Sequence, residues 1–161
     1  MTLLFLAFLA VRGRRASYRA GRFLTVNEKS FLGALDEAAG REFRVFAQVR
    51  LADLVEIDGR PSEAKRRAAM NKVFGKSIDF VICDAVILEP VAAIGLDDRT
   101  HALAHRRERD AFVDKVFAEI GVPLLRVRAR RAYSTTEVEA LLRSIGVTKI
   151  GKCAFASRER R

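Results

Sequence analysis

The 161-residue sequence has no tryptophan, two cysteines, two histidines, two tyrosines and three prolines. Each shortage excludes something. Cys83 and Cys153 lie far apart and form neither a metal-binding pair nor the dense framework of a disulfide-stapled secreted domain. Cys83 falls in an apolar run, so a buried core thiol is expected, in keeping with a reducing, cytoplasmic setting. There is no long Gly/Ser- or Pro-rich linker and no internal repeat. Lack of tryptophan does not prevent a core, because half of the residues are apolar and eleven are phenylalanine. This is the composition of a globular protein, with a length that suits one domain.

Long apolar runs are also missing. The opening MTLLFLAFLAV provides about ten apolar residues, where a bilayer span needs about 20. Arginines follow this run, whereas a secretory signal places positive charge ahead of it. That order suits an anchor from which the chain enters the cytoplasm, or an interfacial segment tethered to the inner face of the membrane. It suits a short buried helix equally well.

Acid is scarce at both ends. Residues 1–23 hold five arginines and no acid, and residues 147–161 carry a net +4. The total is +10, so residues 24–146 stand at about +1. A polyanionic partner, either nucleic acid or an anionic membrane surface, is expected to meet mainly the ends. Three segments follow: an apolar and basic connector over 1–23, a folded domain over 24–146, and a basic tail over 147–161.

Within the domain, Thr25-Val26-Asn27-Glu28 opens a helix with a capping box, and Gly40 stops it. In EFRVFAQVRL, Phe43, Val45, Ala47 and Val49 alternate with Arg44, Phe46, Gln48 and Arg50, which predicts a strand. Residues 57–61 form a turn, and 62–74 are mixed and charged, a short surface helix or a loop. SIDFVIC and VAAIGL are strands joined by a short connection, hence antiparallel. A helix over about 102–120 has its stripe at Phe112, Val113, Val116, Phe117 and Ile120, and ends at Gly121-Val122-Pro123. PLLRVRA is a strand, parallel to its predecessor because a helix crosses between them. Ser134 to Glu137 is a second capping box, opening a helix that Gly146 closes. The fold class is α/β, a mixed sheet flanked by helices.

Asp79 stands inside an otherwise apolar strand, where a carboxylate needs a partner or a metal. It is either a metal ligand or a structural acid bonded to backbone or arginine. Strand periodicity puts positions 95 and 97 on one face, so Asp97 is expected to face Asp79, with Asp98 and His101 beyond the strand end. Converging carboxylates suit a hard cation, Mg²⁺ or Mn²⁺, which activates water for phosphodiester cleavage. The competing reading makes Asp97 and Asp98 a solvated turn and His101 a surface histidine.

Arg126, Arg128 and Arg130 alternate and offer contacts to phosphate, as do Arg106, Arg107 and Arg109. For the latter group, pairing with Glu108, Asp110 or Asp114 on a solvated face is the stronger reading. No aromatic platform for single strands and no helix-turn-helix or zinc-finger spacing occurs.

FAQVRLADL, SIDFVICD, VAAIGLDDRTH and RRERDAFVDKVFAEIGVPLLRV together resemble an uncharacterised bacterial domain family whose core is similar to very-short-patch-repair endonucleases, with the PD-(D/E)xK restriction-endonuclease-like fold. The resemblance runs from about Leu24 to Leu142. It implies a metal-dependent DNA endonuclease of a restriction-endonuclease-like α/β fold. Asp79 matches the metal-binding acid of the second strand, and His101 matches the histidine after a Glu-Leu-Asp motif. Asp97 sits where many relatives keep a lysine and would complete or polarise the site. Glu28 matches a first-helix acid, although it also completes the capping box. Gln48 is a candidate for orienting phosphate or metal-bound water. Gly95 departs from the pattern, which has glutamate there. Three explanations stand: a non-cleaving homologue, a deliberate inactivating substitution, or transfer of the acid's role to Asp97 or Asp98. The alternatives to a nuclease are a non-catalytic nucleic-acid-binding module and a membrane-associated interaction domain using residues 1–23.

Overall fold

Hydrophobic patterning, helix caps and turn glycines resolve into four helices and four strands. The computed structural model describes residues 17–57, 59, 61–97 and 104–147, the side chains of 104–107 excepted. In chain order these are α1 (Val26–Ala39), β1 (Phe43–Arg50), a 3-10 turn (Leu51–Asp53), α2 (Glu63–Val73), β2 (Ser77–Asp84), β3 (Pro90–Asp97), α3 (Ala104–Ile120), β4 (Leu124–Arg128) and α4 (Thr135–Ser144). The strands form one sheet in the order β1-β2-β3-β4. The first two pairings are antiparallel, and β3–β4 is parallel across the α3 crossover. The expected mixed α/β sheet is therefore the fold.

The sheet is covered on both faces, and each face has its own core. On one side α1 and α4 bring Phe31, Leu35, Val138 and Leu142 onto Phe80, Ile82, Ile94 and Val127. Phe31 also meets the Tyr133 ring edge-on at 4.9 Å, and the Tyr133 hydroxyl donates to the Arg128 carbonyl at 3.0 Å. On the other side α2 and α3 bring Val73, Val113 and Phe117 onto Val81, Cys83 and Ala93. A strand clad on both faces reads as a nearly continuous apolar run, which is why SIDFVIC lacks clean alternation. No polar side chain among the described residues is fully buried.

Helix ends follow the caps. Thr25 Oγ1 accepts from the Glu28 N–H at 3.3 Å, and Glu28 Oε2 accepts from the Thr25 N–H at 2.6 Å, a reciprocal box. At α4 only half of the expected box forms. Ser134 Oγ accepts from the Glu137 N–H at 3.2 Å, while the Glu137 carboxylate pairs instead with Arg130. Gly40, Gly121 and Gly146 adopt φ of 67°, 71° and 81° where the helices stop, a left-handed turn that glycine makes without a Cβ clash.

Of the two readings of residues 62–74, the short surface helix is the one found, as α2. One expectation needs correction. The alternation of β1 breaks at Gln48, whose φ is +54°. Val45 and Ala47 pack on the α1 side, whereas Val49 packs against the opposite core.

Candidate functional site

The sheet register brings the chemically informative residues into one row. The pairs Ala47↔Phe80 and Val49↔Ile78 put Gln48 opposite Asp79. The pairs Val81↔Ala93 and Phe80↔Ile94 continue to Asp79 opposite Gly95, and Gly95 is partnered with Arg126. Gln48, Asp79, Gly95 and Arg126 thus cross all four strands side by side. Beside them lies a hollow of about 260 Å³, lined by Asp79, Asp97, Arg109, Asp110, Val113 and Arg126 among others.

Asp79 is held by one oxygen. Its Oδ2 accepts from the Leu96 N–H at 2.6 Å. Burial pushes its pKa up. The Leu96 hydrogen bond opposes that shift, the charge of Glu28 reinforces it, and Arg126 and Arg109 oppose it. Glu28 reaches the same neighbourhood from the first turn of α1. Its Oε1 accepts from Gln48 Nε2 at 2.9 Å while Oε2 serves the cap. The capping role of Glu28 is met, and the other oxygen of the same carboxylate is taken by Gln48. The Gln48 amide, expected to orient phosphate or water, is committed to Glu28.

Arg126 is the residue whose place the sequence did not disclose. Its guanidinium bonds Asp114 Oδ1 through Nε at 3.1 Å and Nη2 at 2.8 Å. Nη1 stands 3.5 Å from Asp97 and 3.8 Å from Asp110. A Cβ added at Gly95 would lie 2.9 Å from Nη1 and 3.4 Å from Cδ of the same arginine. The arginine side chain thus occupies the space into which a residue-95 side chain would grow. Glycine is what permits this approach. Asp110 and Asp114 are spaced four apart on α3, so they share a helix face. That spacing, opposite an arginine on the strand α3 leads into, was the available signal.

Several expected roles change. Asp97 shares the hollow with Asp79 but lies one pair further along β3, and Arg126 is its partner. Arg126 is saturated by acids, not free for phosphate. Arg130 lies beyond the end of β4, pairs with Glu137 and stacks over Tyr133 at 5.3 Å. Arg128 is exposed at the strand end, and Arg130 is exposed as well. Arg109 lines the hollow. Asp98, His101, Cys153 and the side chains of Arg106 and Arg107 lie outside the described residues.

Among the described residues the donor set for a divalent cation is incomplete. Asp79 has one uncommitted oxygen, Gly95 offers none, and Asp97 faces a guanidinium. Mg²⁺ and Mn²⁺ prefer several oxygen ligands. No cluster of three His, Cys, Asp or Glu residues suited to a metal occurs among the described residues. What the arrangement provides instead is a guanidinium held over the strand centre and neutralised by Asp97, Asp110 and Asp114.

No helix among the described residues is long and apolar enough to cross a membrane. No curated protein and no solved structure matches the chain. One family does, over residues 21–145, under the description "Protein of unknown function (DUF2726)". That span takes in all four strands and the row from Gln48 to Arg126, and the chain belongs to that family.

Proposed function

We propose that this chain is a DNA-engaging domain of restriction-endonuclease-like type in which metal-dependent cleavage is weak or lost. The observation that carries the reading is the Arg126 guanidinium lying over Gly95, beside the half-buried Asp79. An acid in a strand interior, next to a hollow at the end of a mixed sheet, is the arrangement a phosphodiesterase uses to hold a cation. The resemblance expects a second acid at position 95, where this chain has glycine and the Arg126 side chain takes up the space. Divalent-metal chemistry is accordingly assigned no step in the chain as it stands. A cytoplasmic location fits the DNA-engaging role and the free, buried Cys83.

The test compares the chain with Gly95→Glu and with Gly95→Glu/Arg126→Met. Duplex binding and nicking of supercoiled DNA are measured with Mg²⁺ or Mn²⁺. The unaltered chain is expected to bind duplex without cutting it, and the double variant to gain metal-dependent nicking. Gly95→Glu alone is expected to gain less, because the new carboxylate would pair with Arg126. Efficient cutting by the unaltered chain would remove the claim of lost cleavage. Folded variants that neither bind nor cut any DNA form would sink the reading altogether.

A further inference from the structure

The near-neutral domain hides a concentration of charge. Residues 24–146 stand at about +1, yet residues 61–76 contribute Lys65, Arg66, Arg67, Lys72 and Lys76 against Glu63 alone, a net +4. The rest of the domain is therefore net negative by about three. That positive segment is α2 and its flanks.

α2 rests on the domain through Val73 and Met70, and its other faces are open. Lys65, Arg66 and Lys72 are exposed. Arg67 is engaged by Glu63 at 3.3 Å. Lys76 is turned inward, where its ammonium lies 5.0 Å from the centre of the Phe112 ring of α3. Helix propensity is well served by EAKRRAAM, so the element forms with little tertiary support. A helix that buries so little while presenting so many cations gains nothing for the core from those cations.

Its position adds to this. α2 shares its core cluster with α3 and lies on the same sheet face as the hollow. Its C-terminal end runs through Gly75-Lys76 into Ser77 and Ile78, which line that hollow with Asp79. The C-terminal end of α2 therefore stands beside the candidate site, while Arg66 lines a separate hollow with Val55, Glu56 and Ile57.

We infer that α2 is the element that docks a nucleic-acid duplex against the domain, with Lys65, Arg66 and Lys72 contacting backbone phosphates. This rests on the proposed DNA-engaging role and names the surface that performs it. Such contacts are non-specific, position the duplex and make affinity salt-dependent through counterion release.

The experiment measures fluorescence anisotropy of a labelled duplex of about 20 base pairs, from about 50 to 200 mM salt. The full chain is compared with Lys65→Gln/Arg66→Gln/Lys72→Gln and with the charge-preserving Lys65→Arg/Arg66→Lys/Lys72→Arg. Three lost phosphate contacts lower the slope of log affinity against log salt by about 2.7, and affinity falls on the order of tenfold or more. The charge-preserving variant binds as the unaltered chain does. Helical circular dichroism is retained in both, because none of the three side chains is buried. Unchanged affinity and slope in the glutamine variant, with the unaltered chain binding duplex, would overturn this inference and leave the proposed function standing. Failure of the unaltered chain to bind duplex at low salt would overturn both. Binding to vesicles of equal phosphatidylcholine and phosphatidylserine but not to duplex, lost in the glutamine variant, would reassign α2 to a lipid surface.

Discussion

At the scale of single residues, the site is defined by two side chains under opposing pressures. Burial raises the pKa of Asp79, which penalises its ionised form. Its folded pKa is raised above the unfolded value, so protonation favours the fold. The ionised form costs stability above the folded pKa, and that cost fades as pH falls through it. Asp79→Asn keeps an oxygen for the Leu96 N–H and removes the charge. Its melting temperature is therefore expected to exceed that of the parent at pH 7.5, with a smaller gap near pH 4. A lower melting temperature at pH 7.5 would mean that the carboxylate is a net stabiliser and no functional compromise. Asp79 and Gly95 were legible in the sequence because each breaks a local rule, an acid in an apolar strand and a glycine where a related pattern has glutamate. Arg126 was not legible as a hub. Alternation with Arg128 and Arg130 describes a strand, and it does not say which helix lies over it.

Among the elements, local signals were read best where the physics is local. The Thr25 box, the glycine stops and the crossover between β3 and β4 all depend on short-range geometry or chain handedness. Thr25→Ala is expected to lower stability by about 1 kcal/mol, measured by urea unfolding. It also frees Glu28, whose carboxylate reaches Gln48, so the loss extends to the edge of the site. An unchanged unfolding midpoint would show that the box contributes nothing. The second box formed only in part because Arg130, seven residues before Glu137, competes for its carboxylate. Helix α2 was obscured for a different reason. Its sequence has two anchoring apolar residues, too few to produce a periodic stripe, so its helicity comes from propensity and not from amphipathic packing.

For the whole molecule, the charge is layered. The first sixteen residues hold three net positive charges and residues 148–161 hold four, leaving three of the ten for residues 17–147. Both cores lie inside residues 31–147. A chain trimmed to 17–147 is therefore expected to fold with the same near-UV dichroism, to bind duplex more weakly and to show a shallower salt dependence. The α2 glutamine variant should weaken the trimmed chain further. If trimming abolishes binding entirely, the ends carry the affinity alone.

The break in β1 at Gln48 has a further consequence. Among the described residues no strand covers the outer edge of β1, so its backbone groups are open to recruitment by another polypeptide. A straight, apolar edge of eight residues would be a template for sheet extension and fibrous aggregation. The left-handed turn at Gln48 interrupts that template, and Arg44 places a charge along it. The residue that steadies Glu28 therefore also makes this edge a poorer template for pairing with another strand.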